Sequence, residues 1–233
     1  METYPGSPPR RVLIGILTAI AAALACLALA GLGRGPAPAG AHGAMAPRAD
    51  AKAGGAAIRL HDRMRKLWED HVVWTRLAIV SFASDNPDLQ PTLHRLLRNQ
   101  ADIGDAIKPY YGNAAGERLT DLLKEHINGA VQVLVAAKSG DQQQFDQAKA
   151  AWYANGRRIA DFLHRANPRN WGRHEMRAMM REHLDQTLAE AADRLAGRYR
   201  ADIRDYGAIT RHILEMADTL SSGIVAQFPG RFG

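Results

Sequence analysis

Three six-residue segments recur along the chain at nearly constant spacing: LWEDHV (Leu67 to Val72), LLKEHI (Leu122 to Ile127) and MMREHL (Met179 to Leu184). Each reads apolar, apolar, any residue, acid, histidine, apolar. The histidines, 71, 126 and 183, stand 55 and 57 residues apart. A second set keeps the same period: IGDAI (Ile103 to Ile107), IADFL (Ile159 to Leu163) and MADTL (Met216 to Leu220), with aspartates at 105, 161 and 218. Two signals sharing one long period point to three copies of a single supersecondary unit. Within each unit apolar residues recur at helical spacing, and no stretch alternates as a half-buried strand would. The pattern predicts an all-α fold: a six-helix bundle built from three helical-hairpin repeats of about 56 residues.

Turn residues place the helices. The first runs from about Arg59 to Ser84 and stops at Asp85-Asn86-Pro87. The second runs from Leu89 to Tyr110, with Pro91 in its first turn, where the missing N–H costs nothing. The third runs from Ala114 to Lys138. Asp141 caps the fourth, which ends near Asn167-Pro168. The fifth begins after Trp171, and the sixth spans about Asp202 to just before Pro229.

The helical phase tells which residues face inward. The stripe on the first helix is Leu60, Met64, Leu67, Trp68, His71, Thr75, Ala78 and Phe82. All three repeated histidines fall inside such stripes, whereas the repeated aspartates fall outside them and read as exposed or salt-bridged. Asn99, Asn155 and His212 each stand six residues before a repeated aspartate and lie on or near the buried faces. Counting from the turns pairs His71 with Asn99, His126 with Asn155 and His183 with His212.

A buried imidazole must find a partner or costs on the order of 1–3 kcal/mol. Two answers suit the pattern. Each histidine can be satisfied locally, by an amide, a carbonyl or an acid. Alternatively three similar hairpins around one axis can bring His71, His126 and His183 to a common depth. Neutral imidazoles ligate Zn, Cu, Fe or Ni, and three of them leave a coordination position open. His212 is then a candidate fourth ligand, with Asn99 and Asn155 orienting the rings.

The N-terminus addresses the compartment. Residues 1–11 form a short basic leader, and Val12 to Leu32 carries no charge over a length that can span a bilayer. Arg10 and Arg11 favour a cytoplasmic N-terminus with the rest of the chain exported, either anchored or released after signal cleavage. The membrane is thus the partner implied for this segment. Residues 33–57, rich in Gly, Ala and Pro, read as a flexible tether to a helical domain at 58–229. The single cysteine, Cys26, lies in the apolar run, so the domain has no disulfide and no thiolate chemistry.

Charge and motifs exclude several classes. The formal net charge is +6, but from Arg59 onward 25 basic residues face 22 acidic ones, too balanced for a nucleic-acid surface. HEMRA at His174 lacks the second histidine of a zincin helix, and no Glu-x-x-His supports a di-iron site. The chain has no Walker A, GxGxxG or GxSxG segment. Arg165, Arg169, Arg173, Arg177 and Arg181 read as a solvated helix face, and the tryptophans and Met176, Met179 and Met180 as core.

LWEDHVVWTR, RLLRNQADIGDAIKPYYG, LLKEHI, WYANGRRIADFL with Asn167-Pro168, REHLDQT and MADTLSSGIVAQFP together resemble a bacterial family of exported or membrane-anchored helical proteins. The resemblance covers about Leu60 to Pro229. It implies an all-helical domain outside the cytoplasmic membrane and implies no activity. An acetylglutamate kinase label carried by some members finds no phosphate-binding loop here. Three functional expectations stand: a protein binding a transition metal or small ligand through the converging histidines, a non-catalytic sensory or protein-interaction module with structural histidines, or a metal-dependent enzyme.

Overall fold

The computed structural model describes residues 48–232. The apolar run at 12–32, Cys26 and His42 lie outside them. Six helices follow one another: α1 (Arg48–Ala83), α2 (Leu89–Tyr111), α3 (Asn113–Ser139), α4 (Gln142–Ala166), α5 (Arg173–Leu195) and α6 (Tyr199–Gln227), with a 3-10 turn at Pro229–Arg231. The described residues contain no strand, and none of their helices is long and apolar enough to cross a membrane. The described residues form an all-helical fold, as the periodicity predicts.

Most boundaries follow the turn chemistry. The Asp141 side chain accepts a hydrogen bond from the Gln144 backbone N–H, so it caps α4 as its position predicts. Gly140 ends α3 in the left-handed conformation that glycine adopts without penalty. Two limits differ from the sequence reading. α1 starts at Arg48, so the end of the supposed tether is helical; no proline follows Pro47 there, and its alanines, the best helix formers, carry the helix through Gly54 and Gly55. At the other end Phe232 is buried and stacks on Tyr110 at 5.6 Å between ring centres, so the packed domain continues past Pro229.

Each helix packs on its neighbours in sequence, and α6 returns to pack on α1, closing the ring. Short connections make neighbours antiparallel, so α1, α3 and α5 run in the same direction. α1 also reaches α5 across the interior. One main core runs through the bundle, from Met64 and Trp68 on α1 to Ile213 and Ile224 on α6.

The repeated small-residue–Asp pairs do two jobs. Gly104, Ala160 and Ala217 are buried at helix contacts. The aspartate after each makes an ion pair: Asp105 with Lys108 at 2.8 Å, Asp161 with Arg177 at 2.7 Å, and Asp218 with Arg65 at 2.6 Å. The tightest approach is between α2 and α3, where a Cβ on Gly116 would stand 2.6 Å from the Gly104 carbonyl oxygen. Gly116→Ala should therefore lower stability by about 2 kcal/mol, despite its better helix propensity, because the backbones must separate. A urea unfolding midpoint at or above that of the parent would contradict this packing.

Candidate functional site

The three repeated histidines meet. His71 of α1, His126 of α3 and His183 of α5 are all buried, with 2–3% of their surface exposed. Ring centres are 5.6 Å apart for His71 and His183, and 6.0 Å for His126 and His183. They converge because α1, α3 and α5 are parallel and each carries its histidine at the same depth. Trp68 presents an edge to His71 and Trp152 stacks on His126, at 5.8 and 5.2 Å between centres. These indoles wall the triad off from solvent.

The hydrogen bonds around the rings are partly those anticipated. His126 Nδ1 lies 2.9 Å from Asn155 Oδ1, as the counting predicts. The Asn155 amide nitrogen donates to the Leu122 carbonyl and to Glu125, which leaves its oxygen to accept. His126 is then protonated on Nδ1, with a free lone pair on Nε2. His71 does not pair with Asn99. Its Nδ1 faces Gln100 Nε2 at 3.2 Å, while Asn99 donates to the Leu67 carbonyl at 3.0 Å. One residue further along α2 turns the side chain by about 100°, toward the triad.

His183 and His212 do not bond either. His212 Nε2 donates to the Met179 carbonyl oxygen at 3.0 Å, and its Nδ1 lies 3.7 Å from Glu182, beyond hydrogen-bond reach. Asn99, Asn155 and His212 nevertheless share a role. They reach the carbonyls of Leu67, Leu122 and Met179, each four residues before a triad histidine.

Several buried polar atoms around the triad have no hydrogen-bond partner among the described residues. They are His183 Nδ1, Gln100 Oε1, Trp68 Nε1 and Trp152 Nε1. Gln100 Nε2 in turn has three acceptors within reach, Leu96 O, Asn99 Oδ1 and His71 Nδ1, and only two hydrogens. Such a concentration of unpartnered polar atoms is unusual in a native interior.

Electrostatics keep the triad uncharged. Burial pushes the His71 imidazole down to about 3, with neighbouring His126 adding to the effect. Burial likewise lowers His126 to about 4, against the Asn155 hydrogen bond. His183 is pushed well below its ordinary value, first by burial and then by His71, His126 and His212. Three neutral imidazoles therefore face one another near neutral pH.

A second polar constellation escaped the sequence reading. Arg76 of α1 donates to Glu190 of α5 at 2.9 Å and to both carboxylate oxygens of Asp202 of α6, the Nη2 contact being 2.8 Å. Asp202 and Glu190 are buried, and Arg194 lies 3.6 Å from Asp202. Burial raises Glu190 to about 7 even against its bond to Arg76. The one sequence signal was phase: Glu190 stands seven residues after His183, two turns along the same face.

The fold and the site together define a closed helical bundle whose interior holds converging, uncharged histidines. Comparison with protein-family models, curated proteins and solved structures finds no match.

Proposed function

We propose that this protein binds one first-row transition ion, Zn, Cu, Fe or Ni, through His71, His126 and His183. The convergence of three neutral imidazoles carries the reading. Among the described residues no set of three ligating side chains is yet drawn together closely enough to hold an ion. The gap is small. Bonds of about 2.0–2.1 Å in a tetrahedral arrangement put imidazole centres about 5 Å apart, and His183 stands 5.6 Å from His71 and 6.0 Å from His126. Turning the Gln100 carboxamide so that its oxygen accepts from His71 Nδ1–H would free the His71 Nε2 lone pair for the ion, at the cost of the bonds that Gln100 Nε2 makes to Leu96 O and Asn99 Oδ1. Asn155 already orients His126 in that way.

Neutral ligands leave the ion's full charge inside the bundle, so an anion or hydroxide is favoured in the open position. His212 is left out of the ligand set, because its Nε2 serves the Met179 carbonyl and its Nδ1 faces Glu182. Binding, rather than a reaction, is proposed.

The three hairpins α1–α2, α3–α4 and α5–α6 form a repeat in this reading. Its support is the shared period and the equivalent bonds from Asn99, Asn155 and His212. The charge-free run at 12–32 supports a location outside the cytoplasmic membrane, anchored or released.

Purely structural histidines are the second reading, favoured by the hydrogen bonds of His71 and His126 within their own hairpins. His183→Leu separates the two, since no hydrogen bond of the His183 ring is lost. Elemental analysis and zinc or copper titration of the full chain should show one equivalent of metal and a raised Tm. Affinity should fall at least about 100-fold in His183→Leu. No metal and no thermal shift in the parent chain would leave only the structural reading.

A further inference from the structure

A cavity of about 210 Å³ lies one turn from the triad. Thr75, Ala130 and Thr187, each four residues after a triad histidine, belong to its wall. From there it runs toward the α1–α2 turn, where Phe82, Leu89 and half-exposed Val135 form the outer wall. No charged residue lines it. The Thr75 and Thr187 hydroxyls donate to the His71 and His183 carbonyls, at 2.7 and 2.8 Å, so their protons are already used. Two polar groups remain on the wall, the exposed Gln90 carboxamide near the α1–α2 turn and the Trp152 indole N–H, and only the indole N–H is buried without a partner.

We infer that this cavity is a binding site for a small, uncharged, mainly apolar molecule carrying one hydrogen-bond acceptor, which the Trp152 N–H receives. The space opens to solvent beside Gln90 and half-exposed Val135, and enclosed apolar cavities of about 150 Å³ are known to take up benzene. The space here suits about ten non-hydrogen atoms. An ionised ligand would lose its hydration and find no countercharge. The inference does not rest on the metal.

Acetophenone, ethylbenzene and benzoate make the test, each titrated calorimetrically into the full chain. Acetophenone should bind at one site. Ethylbenzene, of similar shape but without the carbonyl, should bind about tenfold more weakly, and benzoate should not bind. Ala191→Leu, which fills the cavity, should weaken acetophenone at least about tenfold, and Ala130→Leu repeats the test from another helix should the first variant fail to fold. Absence of acetophenone binding, or undiminished binding in the folded filling variant, overturns the site. Equal affinity for acetophenone and ethylbenzene overturns the role of Trp152. Metal content plays no part in these readouts, so this inference and the metal reading fail separately.

Discussion

Taking the protein from about pH 7.5 to about pH 5 should cost it on the order of 4 kcal/mol of stability. The triad is the cause. Unfolded histidines take up protons near 6.5, whereas His71 and His126 in the fold resist until about 3 and about 4, and His183 lies well below its ordinary value. Between those limits the unfolded chain binds more protons, so stability is complete above about 6.5 and declines as pH falls. His71 and His126 each contribute about 2 kcal/mol over this interval, and His183 adds to it in the same direction. Glu190 works the other way. Its folded value near 7 exceeds the ordinary 4.5, so protonating it on acidification favours the fold and returns about 2 kcal/mol. Since whole domains are stable by only about 5–15 kcal/mol, acid unfolding should begin near pH 5. Urea midpoints across this range, for the metal-free parent and for His126→Leu, measure it. The variant should show a shallower dependence, and a parent flat between these values would mean that the triad is hydrated and charged. Bound metal should add a nearly constant stabilisation across this range, because protons compete for the folded imidazole lone pairs of His71 and His126 only near about 3 and about 4.

Arg76→Met should destabilise the protein by about 3–5 kcal/mol, the cost of leaving buried carboxylates without their countercharge. Asp202 is fully buried and Glu190 almost so. Arg194, at 3.6 Å from Asp202, is placed to recover only part of the loss. Much of the cost should disappear on acidification, as Glu190 takes a proton and sheds its charge. Replacing Arg76, Glu190 and Asp202 together by apolar residues of similar volume should restore most of the stability, since a buried ion network is costly to break but not to exchange. Denaturant unfolding of the single and triple variants decides this. A single variant within about 0.5 kcal/mol of the parent would mean that water reaches the carboxylates.

Much of this was legible in the linear pattern. Helical periodicity and the residues at 85–87, 112, 140–141 and 167–168 carry the number of helices and most of their ends, because turn chemistry is local. The inward placement of His71, His126 and His183 follows from phase, which needs only the spacing to Leu67, Leu122 and Met179. The start of α1 did not, because an alanine-rich segment carries no stripe. Partners fared unevenly. Asn155 could be matched to His126 by counting from a turn, but the same counting chose Asn99 over Gln100. One residue's error is a rotation of about 100°, and no local signal separates adjacent amides.

The sequence by itself determined the helices, their order and the buried face of each, since these depend on contacts within a few residues. Tertiary structure alone decided that three rings 55 and 57 residues apart lie within 6.0 Å in the two measured pairs, that Arg76 meets Glu190 and Asp202, and that a cavity remains beneath the triad. Those outcomes depend on how six helix axes close into a ring. That closure is set by the summed packing of the whole core, Gly104 against Gly116 among the rest, and no single segment encodes it.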